Sequence, residues 1–171
     1  MIGYLALAAF ALTIPAANWL IGNVGVVCVP DGPCLVPVWP GIMAPSGVLM
    51  IGAALVLRDV VHEKMGVRWA MAAIIIGALL SGLVAPAALV VASGVAFLFS
   101  EMADLAVYTP LRTRRLWLAV LASGIVGSIV DSGLFLWLAF GSLDFIAGNV
   151  IGKLWMSVIA VVIIKTMGVG K

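Results

Sequence analysis

Eight of the nine Lys and Arg residues of this chain fall in three short stretches, separated by long apolar intervals. Arg58, Lys64 and Arg68 make the first stretch, Arg112, Arg114 and Arg115 the second, and Lys165 and Lys171 the third. Lys and Arg near the ends of spanning helices are retained on the cytoplasmic side, whereas one held in mid-bilayer costs several kcal/mol unless it is paired. The pattern therefore describes a polytopic membrane protein. The ninth basic residue, Lys153, stands alone inside an apolar run and needs a partner or a use.

Composition agrees with that reading. A chain of 171 residues that is 65% hydrophobic and 9% charged, with a mean hydropathy of +1.30, has too much apolar surface to hide in a water-soluble fold. Soluble domains carry about a quarter of their residues as charges. A single transmembrane domain over residues 1–171 is expected, with no length to spare for a soluble appendage. The net charge of +2 belongs to the loops and is not the footprint of a nucleic-acid partner. Residues 1–5 hold no Lys or Arg, and the first apolar run continues to about Ile21, too long for a typical signal core. It is expected to remain as a spanning helix.

Six segments approach the roughly 20 helical residues needed to cross about 30 Å of hydrocarbon. They are Ile2–Gly22, Ala44–Val61, Trp69–Val84, Pro86–Tyr108, Leu116–Phe140 and Phe145–Met167. The third is short and stops against Pro86, which suits the first turn of the fourth because its missing N–H would be unpaired there anyway. The 23–43 connection and the turns near Ala85 and Gly141–Asp144 hold no Lys or Arg, while the alternate loops hold all the basic stretches. The expected fold class is all-α, a polytopic membrane protein of six transmembrane helices with both termini cytoplasmic.

The first outer connection brackets a Pro-Gly turn with Cys28 and Cys34. On an oxidising face these could close a small structural disulfide, free thiols being the alternative. Pro30, Pro33, Pro37, Pro40 and Pro45 argue for an extended, stiff connector capping the outer face. His62, beside the charged inner loop, is expected to be solvated. Gly148 and Gly152, four apart, give the last helix a small-residue stripe that permits a homodimer without requiring one. There is no Walker-type glycine–lysine motif, so the chain itself is not expected to hydrolyse ATP, and no metal-ligand cluster or cofactor motif is apparent.

The intramembrane polar residues are Asn18, Glu101, Asp104, Asp131, Asn149 and Lys153. At about 1.5 Å of rise per residue, Asn18 and Asp131 lie roughly 22–24 Å from the inner ends of their helices and Lys153 about 20 Å. Glu101 lies near 10 Å, and Asp104 roughly one turn from the surface. Asp131 and Lys153 thus share a depth and are expected to pair, as a packing device or as part of a coupling site. Asp104 has Arg112 or Arg58 within reach, an anchoring ion pair or a proton-coupling group. Glu101 is the carboxylate with the least obvious basic partner, which leaves it protonated or awaiting a ligand. Asn149 with Lys153, and Glu101 with Asp104, each share a helix face. An intramembrane enzyme is disfavoured, because Glu101 and Asp131 differ in depth by about 12 Å and no Ser–His pair accompanies them.

Several runs resemble a known family. Asn18, Ala44-Pro45-Ser46-Gly47 followed by Arg58-Asp59, and Ser100-Glu101-Met102-Ala103-Asp104 leading to Leu111-Arg112 are similar to queuosine precursor transporters of the vitamin uptake transporter family. The similarity continues through Ser123, Ser128, Asp131-Ser132 and Lys153, in order along nearly the whole chain. It implies a six-helix carrier of the bacterial inner membrane that imports 7-cyano-7-deazaguanine or a related deazapurine. Departures are the short third helix, the Cys- and Pro-bearing outer loop, and Glu at position 101, where other members can carry Gln.

A deazaguanine presents adjacent N–H donors that a carboxylate accepts well. The expected substrate site is Glu101 as acceptor with Asn18, Asn149, Asp131 and Lys153, and with Phe97, Trp137 or Trp155 stacking on the ring. The alternative is a substrate-binding membrane subunit for a vitamin-like molecule, working with an ATP-driven energy-coupling partner.

Overall fold

The computed structural model describes residues 2–30, 32–84 and 90–166. Its elements in chain order are α1 (Ile2–Asn23), β1 (Val27–Cys28), β2 (Cys34–Trp39), β3 (Ile42–Pro45), α2 (Val48–Met65), α3 (Val67–Val84), α4 (Val90–Leu111), α5 (Leu116–Phe140) and α6 (Ile146–Thr166). The expected Pro86 start of the fourth helix, the turn at Ala85 and the end of the last helix at Met167 lie outside the described residues, as does Lys171.

Much of what the helices bury is small or polar, and much of what they expose is apolar. On α1 the buried face is Gly3, Ala6, Phe10, Thr13, Ile14 and Ala17, at helical spacing, while Leu5, Leu12 and Trp19 point outward. Leu83, Val91, Phe99 and Ile163 are exposed in the same way on α3, α4 and α6. A soluble domain does the reverse. Lipid is the solvent that makes this surface stable, and close approach through small residues is the packing available once apolar side chains gain nothing by leaving it. Gly127 illustrates the point: a Cβ there would sit 2.9 Å from Asp104 Oδ2 on α4.

Contacts at the helix ends gather the basic stretches together. Gly3 lies against Met65 and Lys64, Tyr4 meets Trp69 edge-on at 6.1 Å, Arg112 pairs with Glu63 at 3.0 Å, and Lys165 lies over the Trp117 ring at 4.2 Å. Among the described residues four helices (α1, α4, α5 and α6) are long and apolar enough to cross a membrane. The apolar stretch of α3, Val67–Leu83, is shorter, and α2 carries Arg58, Asp59, Glu63 and Lys64.

One expectation is corrected here: the chain is not purely helical. The 23–43 connector folds into a three-stranded antiparallel sheet, β1-β2-β3, with Cys28 opposite Cys34 and Val36 opposite Ala44. The two cysteines are disulfide-bonded. The prolines do not prevent pairing, because the register slips between Pro37 and Trp39 and Pro45 stands at a strand end, where a missing N–H is tolerated. Gly41, at φ 76°, makes the tight turn from β2 to β3. Helix α2 accordingly begins at Val48 rather than Ala44, since a residue before proline is pushed out of the helical region.

The sheet stands against α6. Gly148 packs on the Met43 carbonyl and Gly152 on Val48 and Val38. The small-residue stripe of Gly148 and Gly152 is thus filled by the chain's own strands and the start of α2. Trp155 Nε1 donates to the Val38 carbonyl at 2.9 Å, and Trp39 stacks on Trp155 at 6.1 Å. Val38 sits at the register slip, and its carbonyl would otherwise need another donor in an apolar setting.

Candidate ligand-binding site

Two polar groups lie one above the other inside the bundle. The first surrounds a cavity lined by residues from all six helices, among them Asn18, Ser81, Ser93, Phe97, Asp131, Phe135, Asn149 and Lys153. Helical spacing explains the set, for Ser93 and Phe97, Asp131 and Phe135, and Asn149 and Lys153 are each four apart on one helix face. The cavity volume is about 70 Å³.

Lys153, 2% exposed, bonds Asp131 Oδ2 and donates to Ser132 Oγ at 2.8 Å. The expected depth match thus produces an ion pair. Asp131 Oδ1 accepts from Ser100 Oγ at 3.3 Å. Asn18 and Asn149 donate their amide nitrogens to Ile14 and Phe145 carbonyls one turn back in their own helices, at 3.0 and 3.3 Å. Each asparagine keeps its side-chain oxygen for another donor. The cavity wall therefore offers two amide oxygens, a carboxylate, an ammonium and two phenyl rings.

The second group is centred on Arg58, which is completely buried. Its guanidinium meets Asp59 Oδ1 at 3.1 Å, donates through Nε to Glu101 Oε2 at 3.0 Å and through Nη2 to Asp104 Oδ1, and lies 5.8 Å from the Tyr108 ring centroid. Of the two expected partners of Asp104, the structure selects Arg58. Arg112 pairs with Glu63 instead.

This cluster moves several residues from their expected places. Glu101 has a basic partner after all, and it sits one turn below Phe97, off the cavity wall. His62 is 1% exposed and packs on Tyr108 at 5.2 Å rather than facing water. Trp155 and Trp137 are 40% and 62% exposed and away from the cavity. Trp155 is two residues beyond Lys153, about 200° around the helix, so its outward placement follows from helix geometry. Ser81, Ser93 and Phe135 were not singled out from sequence. Phe135 and Ser93 could have been, since each lies four residues from a cavity residue already identified.

An apolar exterior around a buried polar cavity describes a multi-pass membrane protein with a candidate site inside the bundle. Residues 85–167, which carry Phe97, Glu101, Asp104, Asp131, Asn149 and Lys153, match the family model described as "Putative vitamin uptake transporter". Over these residues the chain is similar to the vitamin uptake transporters, a likeness that points to membrane transport of a vitamin-like molecule. No curated protein and no solved structure matches it.

Proposed function

We propose that this protein is a six-span carrier of the bacterial inner membrane, with both termini cytoplasmic, that imports a queuosine precursor by alternating access. The ligand is 7-cyano-7-deazaguanine or a closely related deazapurine. The observation that carries this reading is the convergence of Asn18, Asp131, Asn149 and Lys153 on one cavity beside the rings of Phe97 and Phe135.

Such a base is flat and neutral, and it presents N–H donors beside a carbonyl acceptor. Asp131, rather than Glu101, is the carboxylate in position to accept those donors. It retains acceptor capacity beyond its bonds to Lys153 and Ser100, since an ionised carboxylate has about four lone-pair directions. Lys153 serves the carbonyl, the asparagine oxygens serve the remaining donors, and Phe97 and Phe135 contact the ring faces. The Arg58 cluster and the Glu63–Arg112 pair hold the basic end shut, as alternating access requires of one of its two states.

The test is thermal unfolding of the purified protein in detergent against a panel of deazapurines, purines and vitamins. A ligand that binds the folded state adds about 2.7 kcal/mol of stability at one hundred times its Kd. Stabilisation by a deazapurine, with uptake when the chain is reconstituted alone, is expected. Stabilisation only by another vitamin-like compound would overturn the substrate, and binding without transport in the absence of an ATP-driven partner would overturn the carrier mechanism.

A further inference from the structure

We propose that the Arg58-centred cluster is a proton-binding site, and that a proton taken up there crosses with each ligand molecule. The second half of this statement rests on the carrier reading above.

The charge balance of the buried groups motivates the site. Asp59, Glu101, Asp104 and Asp131 are four buried carboxylates, and Arg58 and Lys153 are the two fixed cations facing them. Lys153 and Asp131 neutralise each other, which leaves one guanidinium among three carboxylates. His62, on the same helix and packed on Tyr108, offsets a single charge if it is protonated. Glu63 and Arg112, nearer the surface, neutralise each other. At least one carboxylate therefore stays uncompensated, and a buried charge without a partner costs several kcal/mol. A bound proton removes that cost.

A second observation locates where a proton can sit. Asp104 Oδ2 is fully buried and has no hydrogen-bond partner among the described residues, although Asp104 Oδ1 is held by Arg58. It faces Gly127 on α5, with the Ser123 hydroxyl close by. The Ser123 hydroxyl has one hydrogen to share between the Val120 carbonyl, at 3.5 Å, and Asp104. That weak donor is all that faces an ionised Oδ2, so protonating this oxygen breaks no hydrogen bond that is in place. Glu101, bonded through one oxygen only, and Asp59, whose Oδ1 likewise has no hydrogen-bond partner among the described residues, are the other acceptors for a proton.

Geometry also links this site to the cavity. On α4, Ser100 donates to Asp131 at the cavity wall, and the next residue, Glu101, accepts from Arg58 below it. A ligand held by Asp131 and a proton held by Glu101 or Asp104 thus act on the same stretch of helix. Arg58 ties α2 to α4, so protonating a carboxylate weakens that tie and lets the basic end open. The proton comes from the outer water, travels as the acid form of one carboxylate, and is released into the cytoplasm. Each cycle then moves one neutral ligand and one positive charge inward.

Infrared difference spectra of the purified protein across pH test the site without any ligand. The C=O stretch of a buried protonated carboxyl should titrate in the wild type and be lost or reduced in Glu101→Gln or Asp104→Asn. Proteoliposomes loaded with 7-cyano-7-deazaguanine test the coupling. An acid-outside gradient should raise wild-type uptake severalfold, and both variants should lose that acceleration while ligand-for-ligand exchange persists. Absence of a titrating carboxyl band in the wild type, which requires no variant to fold, overturns the site. An uptake rate indifferent to the gradient overturns the coupling. A titrating band in a protein that carries no deazapurine leaves the proton site standing and sinks the carrier reading instead.

Discussion

Lys153 on α6 reaches Asp131 on α5 and Ser132 beside it, and both members of the ion pair also front the cavity. Pairing lowers the cost of each charge inside the bundle, while the cavity gives each a second partner to exchange for the first. A carrier needs such a site, with binding groups that are stable empty and available when filled.

Removing one member of this pair should therefore damage folding as well as binding. Asp131→Asn or Lys153→Met leaves its partner buried and uncompensated, a loss of about 3–5 kcal/mol. The double variant Asp131→Asn/Lys153→Met should regain most of that stability yet fail to bind a deazapurine. Thermal unfolding in detergent, with and without ligand, separates the two effects. A double variant that still binds would remove the pair from the site.

Arg58 should resist conservative replacement. Its planar guanidinium serves Asp59, Glu101 and Asp104 from three nitrogens at once, whereas an ammonium is a compact point charge with a different geometry. Arg58→Lys is expected to be less stable than the wild type by about 1–3 kcal/mol, the range for leaving buried polar groups unsatisfied. Arg58→Met, which strands the carboxylates, should fall near 3–5 kcal/mol. Equal unfolding temperatures for Arg58→Lys and wild type would show that the three contacts do not act together.

Glu101→Ala separates the expectation from sequence and the observed placement. Glu101 lies below the cavity on Arg58, so the variant should still bind ligand while net uptake falls sharply. Loss of ligand-induced stabilisation in a folded Glu101→Ala protein would return this carboxylate to the ligand.

How much of this was legible in the sequence depended on the type of signal. The basic stretches and apolar runs located the helices to within a few residues, because charge and hydrocarbon thickness constrain them directly. The Asp131–Lys153 pair followed from matched depths on neighbouring helices. Arg58 falls inside the second apolar segment and within reach of Asp104 on sequence grounds, but its complete burial among three carboxylates is not legible there. Its burial depends on which helix packs beside α4, and that is tertiary information. The sheet was hidden for another reason: its prolines mimic a linker, and what holds them in strands is a disulfide together with a tryptophan 117 positions from the carbonyl it caps.

That last contact yields a prediction about the sheet. Trp155→Phe removes the donor to the Val38 carbonyl but retains an aromatic ring beside Trp39. An unsatisfied buried carbonyl costs about 1–3 kcal/mol, and the loss should appear as a lower unfolding temperature with ligand binding unchanged. Gly148→Val should act on the same contact from the other side. Its added Cβ would collide with the Met43 carbonyl oxygen, where only backbone could yield. Overpacking of this kind costs typically about 1–3 kcal/mol. If the sheet braces α6, the two substitutions together should lose less than the sum of their separate effects, because each loosens the same seam. Strict additivity in a double-variant cycle would mean that the sheet and α6 are anchored independently, and weakened deazapurine binding in Trp155→Phe alone would move that indole back to the ligand.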